Sequence, residues 1–243
     1  MKRLVAVIVT AFIGFAAYSQ QVVERTLIPY DKLVARNGVK VYLTKGAELK
    51  AKVVTTGVNL SEVTTYVDGK TLEVNINRAL FNDEMVEVFV TYDTLRNISV
   101  YTQARVSAQD TLIGDKITFD LTSGGEFDGA VKLNTIDVSV SKGATARLKG
   151  FTKTIDSNVS LSGVLAALDL TAESVFVKVT TKGSAKVGAT KLIKANVKSG
   201  ANLTYTGNPE QVDIKTGIGV SVNVQYTSVR NFSETSKKQM KPH

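Results

Sequence analysis

The glycines of the second half of the chain recur at a nearly fixed interval, and that interval constrains the fold more than any other feature. They fall at Gly125, Gly143, Gly163, Gly183, Gly200 and Gly217, in steps of 18, 20, 20, 17 and 17 residues. From Gly143 onward each of them follows a Ser, Thr or Lys. A unit this short cannot bury its own apolar face, so neighbouring units must stack to make one continuous core. Between the glycines lie alternating runs such as Ile117-Thr118-Phe119-Asp120-Leu121 and Val175-Phe176-Val177-Lys178-Val179. Period-two alternation reads as strand, with glycine supplying a left-handed or small-side-chain corner. Short strands restarting at this interval predict a solenoid of stacked strands.

The N-terminus carries an export signature. Lys2 and Arg3 precede an apolar stretch from Leu4 to Ala17, and Ala17 and Ser19 flank Tyr18 at the spacing of a signal-peptidase site. That stretch is shorter than the roughly 20 residues that span a bilayer, so the reading is a signal peptide over 1–19, with cleavage between Ser19 and Gln20. No later stretch reaches spanning length, which leaves the mature chain without a transmembrane helix. The remaining 224 residues suffice for one large β domain. The chain has no cysteine, so core burial and strand ladders, not disulfides, must stabilise it in an oxidising compartment.

The formal charge of +8 becomes +6 once Lys2 and Arg3 leave. The lysines are scattered among Asp and Glu rather than run together, which argues against a nucleic-acid partner and reads as a solvated basic surface.

Before the regular repeat, Val39 to Thr44 alternates cleanly and Lys45-Gly46 turns the chain. Asp68-Gly69 lies between two alternating runs, a strong hairpin signal. Residues of about 22–98 therefore predict a mixed or antiparallel β region, and about 99–230 the regular coils. Val164 to Ala172 is the single helix-like stretch, and its place in the repeat assigns it to strand. Residues 231–243 are polar, basic and unpatterned, and read as a disordered tail.

Catalytic signatures are sparse. The one histidine is His243, the last residue. Without another His or any Cys the chain supplies no Ser-His-Asp triad, no Cys-His pair and no common zinc ligand set. It has no phosphate-binding glycine motif; Gly217-Ile218-Gly219 lies in the strand repeat. Carboxylates alone remain, at Asp110, Asp115, Asp120, Asp128, Asp137 and Asp156. A β-helical lyase or hydrolase would gather several on one face, yet Asp120, Asp137 and Asp156 drift against their glycines, which suits turn-capping and solvated positions. No catalytic, cofactor-binding or metal-binding residue is assigned, and no cofactor is expected. Tyr42, Tyr66, Tyr92, Tyr101, Tyr205 and Tyr226 read as strand-end residues with an apolar face and a wet hydroxyl.

Three stretches resemble the auto-transporter adhesin, head GIN domain family of exported proteins from Bacteroidetes-type bacteria. They are Val39 to Gly46, Val86 to Val100, and the corners Ser162-Gly163-Val164, Lys182-Gly183-Ser184 and Ser199-Gly200-Ala201. The last corner runs into Tyr205-Thr206-Gly207-Asn208-Pro209, similar to that family's closing motif. Lys142 and Lys182 depart from its usual Ser before Gly. The resemblance implies a right-handed parallel β-helix, a β-solenoid, over a single domain of residues 20–230. It also implies a place at the cell envelope, in the periplasm, on the outer-membrane surface or outside the cell, and carries no catalytic residues over. Three functions stay open: an adhesin-like binding or scaffold module for a glycan or protein of the envelope, a β-helical polysaccharide lyase or hydrolase, and a self-associating structural solenoid.

Overall fold

The alternating runs form strands throughout, in a computed structural model that describes residues 20–81 and 83–225. The signal-peptide reading and the tail reading fall on residues outside that range.

The strands are β1 (Gln20–Thr26), β2 (Lys32–Ala35), β3 (Lys40–Lys45), β4 (Lys50–Thr56), β5 (Val63–Asp68), β6 (Thr71–Ile76), β7 (Met85–Tyr92), β8 (Asn97–Val100) and β9 (Arg105–Ala108). The long coil strands follow as β10 (Leu112–Leu121), β11 (Glu126–Val140), β12 (Thr145–Val159), β13 (Val164–Val179) and β14 (Ser184–Val197), then β15 (Asn202–Thr206), β16 (Gln211–Thr216) and β17 (Ser221–Gln225). The stretch Val164 to Ala172 is indeed strand, as its place in the repeat requires.

Two ladders run the length of the solenoid. One passes β5–β6–β2–β8–β10 and on through the second halves of β11 to β14, ending on β16. The other passes β1–β4–β7–β3–β9 and the first halves of β11 to β14, ending on β15 and β17. Pairing is parallel except for β1–β4, β4–β7 and the Asp68-Gly69 hairpin β5–β6. Parallel stacking therefore begins well before residue 99. It also departs from chain order: β2–β3 sits as a coil between β6–β7 and β8–β9. Closing that coil joins residues far apart in sequence, so no local pattern announces it.

Each coil turns through two successive left-handed residues, at 37–38, 102–103, 123–124, 142–143, 161–162, 181–182 and 199–200. Both central residues left-handed, with a hydrogen bond such as Ala144 N–H to Ser141 O at 3.1 Å, is the signature of a type I′ turn. The turns themselves stack. Gly124 donates to Lys142 O, Gly143 to Leu161 O, Ser162 to Thr181 O, and Lys182 to Ser199 O, all at 3.1–3.2 Å. The repeat is thus bonded at its corners as well as along its faces.

Register fixes the interior. Val74, Ala35, Val100, Leu121, Val140, Val159, Val179 and Val197 form one column through successive coils, and each is fully buried. Each Val or Leu in it contributes about 1.5–3 kcal/mol by leaving water. Val175 and Val177 likewise point inward while Lys178 is exposed, as the alternation predicts.

Candidate functional site

Outward-facing residues of a parallel ladder stack in rows about 4.8 Å apart, so chemistry on this surface comes in rows. On the second-half face one row runs Thr118, Asp137, Asp156, Phe176, Lys194, Asp213, and the adjacent row runs Asp120, Ser139, Asn158, Lys178, Asn196, Lys215. Near the C-terminal end these rows enclose a shallow groove of about 300 Å³ lined by Phe176, Lys178, Lys194, Asn196 and Lys215, with the carboxylates Asp156 and Asp213 at its walls. Phe176 is partly exposed, with Asp156 on one side of it in the row and Lys194 on the other. Elsewhere Lys116 pairs with Asp137 at 2.5 Å and Lys191 with Glu173 at 2.6 Å. Among the described residues, Lys178, Lys194 and Lys215 make no ion pair. The Oδ1 of Asn196 is buried without a hydrogen-bond donor.

A second groove, of about 410 Å³, lies on the first-half face between Asp128, Arg147, Lys149, Asp169 and Lys186. A bulge shapes it: β13 carries extra residues between Ala167 and Thr171 relative to β14, which pushes Leu168 and Asp169 out of the ladder. Here the charge is partly cancelled. Glu126 pairs with Arg105 at 3.3 Å and Arg147 at 3.1 Å.

The structure does not bring the candidate carboxylates together as a unit. Asp137 and Asp156 are register partners on adjacent coils, but Asp120 aligns with Ser139. Asp120 accepts the Tyr101 hydroxyl at 2.7 Å, Asp115 accepts Asn134 Nδ2 at 2.7 Å, and Asp110 accepts the Lys45 amide at 3.0 Å. Burial, joined by the Asp120 charge, pushes the Tyr101 hydroxyl upward. Among the described residues no cluster of three or more His, Asp or Glu is placed to hold a metal.

The tyrosines divide. Tyr42 stacks on Phe89, ring centres 4.9 Å apart, and donates to Glu87; Tyr66 is exposed. Tyr92 differs from its expected wet position: it is buried, and burial raises its hydroxyl pKa. Tyr226 lies outside the described residues. Phe176 was legible as outward-facing, but its lysine neighbours come from other coils. The glycine steps could not align them, because the true register between β12, β13 and β14 shifts at three irregularities.

Fold and surface together define a class: a largely parallel β-solenoid whose outer rows carry polar and charged residues. The chain belongs to the family described as putative auto-transporter adhesin, head GIN domain, which matches residues 29–209. Solved structures share the fold. One is a putative adhesin from Bacteroides fragilis, with TM-score 0.75 and 16% identity over 85% of this chain and 97% of that one. Another is a putative adhesin from Parabacteroides merdae, with TM-score 0.66 and 18% identity over 85% and 96%. A third, titled a putative lipid binding protein, comes from Parabacteroides distasonis, with TM-score 0.66 and 15% identity over 85% and 96%. No curated protein matches the chain. Among the described residues, no helix is long and apolar enough to cross a membrane.

Proposed function

We propose that this chain is an exported, non-enzymatic envelope protein that holds an anionic polymer, a glycan bearing carboxylate or sulfate groups, against the Phe176 groove. The observation that carries this reading is the pair Lys178 and Lys194, neither of them in an ion pair, beside the partly exposed Phe176 ring. An aromatic face offers a stacking platform for a sugar ring, and the lysines offer charge. A rigid ladder presents such groups with little ordering cost on binding. Membership of an adhesin-named family supports surface attachment. Catalysis would need carboxylates tuned and positioned together, whereas Asp120, Asp137 and Asp156 are spread over two rows.

The test is to incubate the exported protein with acidic and neutral polysaccharides, with and without calcium, measuring binding and product release together. Retention by acidic polymers that salt weakens, without new reducing ends or unsaturated products, is expected. Sustained turnover lost in an Asp120→Asn, Asp137→Asn or Asp156→Asn variant would overturn the reading in favour of a lyase or hydrolase.

A further inference from the structure

The two ends of the solenoid are built differently. At the first end the edge strands are β1 and β5, and Arg25 ties them together. Its Nη1 donates to Val63 O at 2.9 Å and to Thr65 Oγ1 at 2.6 Å, and its Nη2 to Leu60 O at 3.3 Å. A guanidinium and a short 3-10 turn, Leu60–Glu62, thus place polar groups over this end, where the outer edges of β1 and β5 have no strand partner.

At the other end nothing comparable is seen among the described residues. The last rungs are β16 and β17, whose outer edges have no strand partner. Register places Val212 beyond Ile193, Ile214 beyond Ala195, and Val222 beyond Leu203, so these side chains continue the interior columns. Val212 is nonetheless 51% exposed and Val224 39% exposed. An open parallel edge above an uncovered apolar core is a template for another strand, and solenoids ordinarily need a polar cap there.

The sequence of β16 indicates what covers it. Gln211-Val212-Asp213-Ile214-Lys215-Thr216 is self-complementary about Ile214. A two-fold axis through Ile214 would pair β16 antiparallel with its copy. Asp213 would then face Lys215 of the second copy, and Lys215 its Asp213, with Ile214 against Ile214 on the inner side and Val212 against Thr216. Both charges already lie on the outer face, where they remain solvated. We infer that two copies of this chain join end to end through β16, their open cores fusing across a two-fold axis. The contact is isologous, so it occupies the β16 edge of both copies at once and stops at the dimer instead of growing into a filament.

The experiment measures the mass of the chain purified after export, by sedimentation, beside a form ending at Gln225. Both are expected as dimers. Asp213→Lys places Lys against Lys twice across the axis, and Lys215→Asp places Asp against Asp twice. Each should weaken the dimer by about tenfold or more, while the double exchange D213K/K215D, and a mixture of the two single variants, should restore it. Since the chain has no cysteine, Ile214→Cys gives one thiol per copy. Facing antiparallel Cα atoms, about 4.5–5.5 Å apart, lie within disulfide range, so mild oxidation should yield a covalent dimer. A monomer for both forms, or a dimer indifferent to the charge exchange, overturns the inference. So does a monomeric exported chain whose Gln225-terminated form dimerises, which would assign the open end to the chain's own C-terminal segment.

Discussion

Gly143 and Gly163 hold different places in the same corner. Gly143 is the second left-handed residue of its turn, at φ +72°, with open space where a Cβ would stand. Gly163 comes one position later and lacks a positive φ, but a Cβ there would stand 2.4 Å from Val140 O of the preceding coil. One glycine answers a backbone conformation and the other a close approach. Gly143→Ala should therefore cost about 1 kcal/mol, the strain of a left-handed L-residue. Gly163→Ala should cost about 3 kcal/mol, because two hydrogen-bonded rungs must separate to admit the methyl group. Urea unfolding of the two variants measures both, and equal losses would contradict the distinction.

The same pair shows how far the sequence could be read. Alternation of apolar residues made strands and stacking legible, because burial on one side of a strand imposes a period of two. The glycine intervals of 18, 20, 20, 17 and 17 mixed three corner positions, whereas in the structure Thr145 lies against Val164, and Val164 against Ser184. Rows across coils, and hence the lysines around Phe176, depend on that finer register and on bulges no local motif marks. The insertion of β2–β3 between later coils was hidden for a related reason: long-range pairing leaves no trace in neighbouring residues.

Strand orientation makes a second prediction. Val177 is 4% exposed and faces the core, and Lys178 beside it is solvated. Val177→Lys would bury a charge with no partner, a loss of several kcal/mol in thermal or denaturant unfolding. Lys178→Ala should stay within about 0.5 kcal/mol. Similar effects at both positions would contradict the register.

The loop between β6 and β7 predicts a pH response. Glu84 accepts Arg78 Nη1 at 2.5 Å, Arg78 Nη2 at 2.8 Å and the Phe81 amide at 2.9 Å. The Arg78 hydrogen bonds, then the Phe81 amide, pull the Glu84 carboxyl down from 4.5 to about 2. A depressed carboxyl stabilises the fold at pH above its unfolded value, and that contribution is lost as pH falls from about 4.5 through about 2. The Phe81 amide signal in NMR should accordingly titrate with a midpoint near pH 2. Glu84→Gln should remove that titration while leaving the coils folded. A midpoint at the ordinary carboxylate value would show the clamp absent in solution.

The last prediction separates the two faces. Lys178 and Lys194 lie beside Phe176 on one face, while Lys186 lines the groove on the other, where Arg147 already pairs with Glu126. If an anionic polymer lies along the Phe176 rows, Lys178→Gln and Lys194→Gln should each weaken binding by about two- to fivefold, the effect of one exposed charge pair. Each should also flatten the dependence of affinity on salt, because one fewer screened attraction remains. Phe176→Ala should weaken binding without changing that salt slope, since stacking on a ring is not an ionic contact. Lys186→Gln should change neither. A larger effect from Lys186 than from Lys194, measured by retention on an immobilised acidic polysaccharide at two salt concentrations, would move the binding face to the bulged side of the solenoid.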